Sequence, residues 1–308
     1  MHFGADDARN PTRRLAGARL DDLVRAQVLA VLCVLVWTAV EGLAAQELRH
    51  YSTYQVVWTR YAVHLLFMLL VWGMREPASL IATRRPAFQL SRSLLMLGMP
   101  ASWAIAASHG VAARTILAIF WLAPLMVLAL AAAGLGERSR RITWLMAGCG
   151  FAGTLLVLRP KVLPDPLGFV LSVGMGLTFS LYIVMTRSLR TERTRANLFY
   201  TALGVFVILT PLMPLVWIAP SLRDLVIFTV MGLLGLLMLW LLDRMAATAP
   251  VSLTAPFLYL RVVLTAVISA GGGHWRLGRG TLVGIGCILL SVMVACISDR
   301  RHAVAAAL

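Results

Sequence analysis

Ten apolar runs, each roughly 17–25 residues long, fill nearly the whole of this chain and restrict its fold more tightly than any other feature. They lie near 27–45, 54–74, 93–111, 113–134, 142–160, 167–187, 198–219, 225–246, 249–271 and 281–297. A run of that length wound into a helix reaches across the hydrocarbon of a bilayer. The composition agrees: 60% of the 308 residues are hydrophobic and 13% are charged, where soluble domains average about 25% charged. The expected fold is all-α and integral to the membrane. No remaining stretch is long enough for a separate aqueous domain, and two pairs of spans meet in turns at Ala112 and Thr248 with almost no polar linker.

The net charge of +15 raises the question of nucleic acid. Only one of the 28 basic residues is a lysine, Lys161, and most of the arginines fall in short links between apolar runs. Membrane topology accounts for such a distribution, because positively charged loops stay cytoplasmic. With the N-terminus inside, the cytoplasmic segments hold 19 Lys and Arg and the opposite side holds 7. Both termini are therefore expected in the cytoplasm. Residues 1–26 lack the apolar core of a signal peptide and read as a flexible tail, and 298–308 form the second tail. The four cysteines all fall within apolar runs, where they act as small hydrophobes; neither a disulfide nor a metal site is expected. Arg-rich, Lys-poor usage points to a bacterial source of high GC content, hence to the inner membrane.

Ten spans divide into two sets of five, 27–160 and 161–297, and the odd number turns the second set upside down, which makes an inverted repeat. "FWLAPLMVLALAAAGLGERSRRITWLMAGCG" in the fourth and fifth spans parallels "LTAPFLYLRVVLTAVISAGGGHWRLGRGTLVGIGCI" in the ninth and tenth. At an offset of about 137 residues Glu137 falls opposite His274, and Pro124 opposite Arg261.

"YQVVWTRY" in the second span, "SRSLLMLGM" opening the third, "ARTILAIFWLAPLMVLALAAAGLGER" through the fourth and "APVSLTAPFLYLRVVL" through the ninth resemble the drug/metabolite transporter superfamily in its EamA branch. The resemblance runs from about residue 27 to 297, nearly the whole chain. It implies ten helices in two inverted halves, transport of a small organic metabolite, and a central cavity lined by the first, third, fourth, sixth, eighth and ninth spans. Two positions depart from the family pattern. The ninth span ends in "GGGHW", with His274 or Trp275 where a second acid is usual, and Ala45 stands where related chains carry a basic residue one turn after the acid of the first span.

A charge at mid-membrane costs on the order of 2.5–3.5 kcal/mol, so Glu41, Arg60 and Arg261 each require a partner, an aqueous cavity or a task. Glu41 and Arg60 lie at similar depth on consecutive helices, roughly 6–9 Å below the outer surface at about 1.5 Å per residue. An ion pair between them is expected, with His64 one turn from Arg60 extending it into a small network. Two readings stand side by side: a permanent bridge between helices, or a coupling group that takes up a proton or meets a cationic part of the cargo. Arg261 falls near the midplane, where its charge suits a carboxylate or phosphate on the cargo; the alternative is a partnership with Glu41 or with freed carbonyls. Asp243 and Arg244 lie near a cytoplasmic span end and reach the interface.

Pro124 and Pro256 mark helix breaks, tolerated where they line a cavity or neighbours satisfy the freed groups. Trp37, Trp103, Trp121, Tyr182, Trp240 and Tyr259 lie within the spans that the resemblance places around the cavity, and they are candidates for stacking on a ligand. Helix packing and lipid contact are the competing roles for each. Trp58, Trp72, Trp144, Trp217 and Trp275 fall near span ends and read as interface anchors.

"GCGFAG" from Gly148 to Gly153 has the spacing of a dinucleotide loop but lies inside an apolar span with no strand before it. It reads as close helix packing through small residues, as does "GIG" at Gly284 to Gly286, serving either as scaffold or as a homodimer contact. Glu137, in a turn with Arg138, Arg140 and Arg141, is expected to cap a neighbouring helix end. No Walker loop, His-Glu-x-x-His or in-span Ser, His and Asp constellation is present, which argues against direct ATP drive and against an enzyme, and no cofactor is expected. The reading is a secondary transporter of the inner membrane working by alternating access and driven by an ion gradient or a substrate gradient, with Glu41 as the candidate proton site. Its competitor is a membrane protein without transport activity: a sensor, an assembly factor or a degenerate copy.

Overall fold

The computed structural model describes residues 11–160, 165–272 and 277–305, all in helices and short connections with no strand among them. Lys161, His274, Trp275 and Arg276 lie outside the described residues, and with them the "GGGHW" departure. The first half contains α1 (Pro11–Glu47), α2 (Thr53–Met68), α3 (Pro77–Ile81), α4 (Pro86–Ser108), α5 (Ala113–Phe120), α6 (Ala123–Leu135) and α7 (Arg141–Leu158). The second contains α8 (Pro166–Ser188), α9 (Thr194–Leu209), α10 (Met213–Val216), α11 (Leu222–Thr248), α12 (Val251–Thr254), α13 (Leu260–Gly271) and α14 (Arg279–Ala305).

Nine helical stretches among the described residues are long and apolar enough to cross a bilayer. The expected third span lies on α4, which has 23 residues but is not one of the nine; its first turns carry Gln89, Ser91, Arg92 and Ser93. The first span also starts earlier than its apolar run implies. α1 begins at Pro11, so residues 11–26 continue the membrane helix instead of forming a loose tail, and α14 likewise runs on to Ala305.

Helix starts and stops follow local chemistry. Ser52 accepts the Gln55 N–H at the start of α2 (3.1 Å), Asp165 accepts that of Gly168 at α8 (3.0 Å), and Ser221 with Asp224 forms a reciprocal capping box on α11. α6 ends on Gly136 at φ 67°, a left-handed conformation that glycine adopts without strain. The fourth and ninth spans are interrupted as their prolines predict. α5 stops at Phe120 and α6 restarts at Ala123 ahead of Pro124, while Pro256 lies in a 3₁₀ segment, Ala255–Tyr259, between α12 and α13. The Ala123 carbonyl at the first break accepts a hydrogen bond from Ser180 Oγ (3.0 Å).

The most extensive pairings are α7 with α14, α1 with α11 and α4 with α8, followed by α2 with α11, α6 with α8 and α4 with α9. Glycines permit the closest of them. A Cβ on Gly153 would stand 2.7 Å from the Gly284 carbonyl oxygen, and one on Gly232 would stand 2.6 Å from Val63. The small residues of "GCGFAG" and "GIG" thus pack α7 on α14 within the chain. Leucines and valines such as Leu66, Leu70, Leu145, Val226 and Leu282 are exposed on the outside of the bundle, as lipid contact requires.

Candidate functional site

A cavity of about 580 Å³ opens between the halves, walled by α1, α2, α4 and α5 on one side and α8, α11 and α13 on the other. Its floor lies at Cys33, Met238 and Leu242, and its mouth at Ala45, Arg49 and Thr53 beside the α1–α2 connection. Trp37 and Glu41 stand one turn apart on α1 and so face the same way; both line the cavity, as does Arg261 on α13.

The acid of the first span pairs differently from expectation. Glu41 Oε2 lies 3.9 Å from Nη2 of Arg261, and the described residues contain no Glu41–Arg60 ion pair. The reason is packing: α1 lies against α13, while α2 turns Arg60 toward Tyr61, with the guanidinium 5.1 Å from the ring centroid. Arg261 is nearly enclosed, 13% exposed, whereas Glu41 is 48% exposed toward the cavity. The guanidinium stacks over Trp37 at 4.5 Å and Trp121 at 5.9 Å. Aromatic faces thus take the place of the hydration that a buried cation loses.

The other candidates divide. Trp103, Tyr182 and Arg60 line the cavity. Trp121 and Tyr259 are buried behind Arg261, their ring centroids 6.1 Å apart, so they support the site without forming its wall. His64 is buried against Tyr61, with ring centroids 4.8 Å apart, and close to Gly235. It forms no network with Glu41. Trp240 is 41% exposed and lies outside the cavity lining; its place on α11 faces outward. Pro124 and Pro256 are buried, and the breaks they mark bring Trp121 and Tyr259 together. Among the described residues no group of three His, Cys, Asp or Glu converges as a metal site would require.

Arg92 falls between the second and third apolar runs and by its place in the chain reads as a residue of a cytoplasmic link. The structure encloses it, 1% exposed, at the closed end of the cavity. It donates to Thr186 Oγ1 (2.9 Å) and Gln89 Oε1 (2.9 Å), and to the Asn197 carbonyl (2.6 Å) and Thr201 Oγ1 (2.9 Å). Its guanidinium lies over Tyr182 at 5.1 Å. Asn197 Nδ2 in turn donates to Asp243 Oδ1 (2.8 Å), joining α4 to α8, α9 and α11. The available signal was Pro86 as a helix-starting residue followed by Gln89, Arg92 and Ser93, which share one helical face. Hydropathy scanning passes over such a segment because its polar side chains bond to one another. Phe120 and Phe179 were also missed; they pack on Trp37 with ring centroids at 6.4 and 5.1 Å, and phenylalanine in an apolar run carries no distinguishing signal.

Glu137 caps as expected. Its Oε2 accepts the Ser252 N–H in the first turn of α12 (3.2 Å), and Oε1 pairs with Arg187 Nε (3.1 Å). Arg187 also donates to the Ala246 and Ala247 carbonyls near the end of α11 (2.7 and 3.1 Å). An anion thus meets a helix start and a cation a helix end.

A bundle of membrane-crossing helices around a solute-sized cavity, open at one end and bonded shut at the other, defines a multi-pass membrane protein of the transporter class. Residues 24–159 match the model of the EamA-like transporter family, and this match together with the relatives described next supports a membrane transporter of a small metabolite. It is 26% identical over 225 residues to a protein of Rickettsia bellii named S-adenosylmethionine uptake transporter, covering 72% of this chain and 76% of the relative. A protein of the same name from Rickettsia conorii is 24% identical over 225 residues, with 72% and 75% covered. A solved crystal structure superposes with a TM-score of 0.76 at 18% identity, over 90% of this chain and 98% of that one, which is a likeness of fold.

Proposed function

We propose that the chain moves its cargo by alternating access between two inverted five-helix halves, with the central cavity as the cargo site. The carrying observation is the asymmetry of that cavity. Its mouth is lined by Arg49 and Thr53, while its other end is bonded shut by Arg92, Asn197 and Asp243 across three helix interfaces, a geometry suited to one of two alternating states. The helix pairings support the inverted repeat. Advancing each partner by five spans turns the pairing of α1 with α11 into that of α8 with α4, turns α2 with α11 into α9 with α4, and leaves α7 with α14 unchanged. With both termini cytoplasmic, as the Arg distribution implies, the mouth faces outward.

Glu41 is the proposed coupling group, because it is the acid that lines the cavity and its side chain is half-exposed to it. S-adenosylmethionine, the cargo in the relatives' names, is the first molecule to test. Purified protein in proteoliposomes is expected to accumulate labelled S-adenosylmethionine faster with an imposed pH gradient than without. Equal rates would remove the proton coupling. Absence of flux for this molecule would remove it as cargo, and absence of flux for every metabolite class in folded protein would favour the reading without transport.

A further inference from the structure

We infer that the cavity is built for an amphipathic organic anion, a carboxylate or phosphate carried on a flat apolar body. The inference rests on the cavity being the cargo site. Among its described lining residues are three arginines, Arg49, Arg60 and Arg261, and a single carboxylate, Glu41. That carboxylate does not saturate its own partner. At 3.9 Å the contact with Arg261 is longer than a charge-assisted hydrogen bond of about 2.7–2.9 Å, and the Arg261 Nε has no hydrogen-bond partner. Arg60 takes part in no ion pair among the described residues, and its Nε is likewise unpartnered.

An unbalanced positive charge between low-dielectric walls concentrates anions, and planar guanidinium donors match carboxylate and phosphate oxygens. The remainder of the cavity is of the opposite character. Met96 and Met99 from α4, Met175 from α8 and Met231 and Met238 from α11 line it, together with Phe179. Thioethers are polarizable and adapt to aromatic faces, so a flat apolar body fits that wall while its anionic group reaches the arginines. A cargo of net positive charge would meet the excess of like charge; S-adenosylmethionine, with its sulfonium and ammonium groups against one carboxylate, is such a cargo, and its binding as tightly as the anions would overturn the inference.

The test is equilibrium dialysis of the full-length purified protein with probes that share one body and differ in charge: indole-3-acetate and indoxyl phosphate as anions, indole-3-ethanol as the neutral form and tryptamine as the cation. At least one anion is expected to bind tenfold or more tighter than the alcohol, with tryptamine the weakest, and the two anions decide between carboxylate and phosphate. Arg261→Gln and Arg60→Gln should each reduce the preference for anion over alcohol to about threefold or less. Glu41→Gln, which releases Arg261, should strengthen anion binding. Circular dichroism and gel filtration establish that each variant is folded, and a variant that fails this is replaced by its Lys counterpart, which should retain part of the preference. Tryptamine binding as tightly as indole-3-acetate, equal binding of anion and alcohol, or no binding by any probe would overturn the inference. Flux of another solute in the same preparation would then leave the transport reading standing, whereas loss of both would end the two together.

Discussion

Glu41 and Arg261 show how little a charge pair reveals from its residue types alone. A separation of 3.9 Å with one partner 48% exposed describes a loose contact, and exposed pairs of that kind contribute about 0–1 kcal/mol. Such a contact is a weak rivet between helices. Glu41→Gln keeps the volume of the side chain and removes its charge, so the thermal midpoint of the protein should move by no more than about 2 °C, consistent with a contribution of that size. If Glu41 carries the coupled proton, the same variant loses acceleration by a pH gradient but retains exchange of labelled for unlabelled cargo. A variant that responds to the gradient as fully as wild type would remove Glu41 from the coupling step.

The pairing of α7 with α14 depends on backbone contact at Gly153 and Gly284, where an added Cβ would collide with the facing carbonyl at 2.7 and 2.5 Å. Neither backbone can yield as a flexible side chain would. Gly153→Leu should therefore destabilise the protein by about 1–3 kcal/mol, the usual range for overpacking, read as a lower midpoint in thermal unfolding. Gly148 lies on the same helix, and a Cβ added there would meet no heavy atom within 4 Å, so Gly148→Ala should leave the midpoint unchanged or raise it slightly through helix propensity. Equal effects from the two substitutions would show that α7 and α14 do not meet as described.

Across the whole molecule, the cavity can change the side it faces only if the bonded end opens. Arg92 makes its four hydrogen bonds there within 2.9 Å, and each buried acceptor left unpaired by its loss costs about 1–3 kcal/mol. Arg92→Ala should raise the population of the state open at that end. With the four native cysteines replaced and Met238→Cys added at the cavity floor, a membrane-impermeant maleimide should label the otherwise unchanged protein from the side of the α1–α2 connection. Arg92→Ala should add labelling from the opposite side; unchanged protection there would separate Arg92 from the closure.

Much of this molecule follows from local pattern. Apolar runs of bilayer length specify helices because lipid offers the backbone no hydrogen bonds, and nine of the ten expected spans recur as helices apolar enough to cross. Pro124 and Pro256 mark the interruptions of the fourth and ninth spans because a missing N–H acts at its own position. Glu137 could be recognised as a cap because it follows the end of its own span. What depended on the neighbour's identity could not be read in this way. Arg60 and Arg261 lie in equally apolar surroundings along the chain, and only the docking of α13 on α1 selects Arg261 as the partner of Glu41. Arg92 resembles a link residue until α8, α9 and α11 supply its acceptors, and Trp240 resembles a cavity aromatic until the rotation of α11 turns it outward. A hydropathy pattern records whether a side chain leaves water; which surface receives it is decided by helix packing, and the charge balance of the cavity is a consequence of that packing.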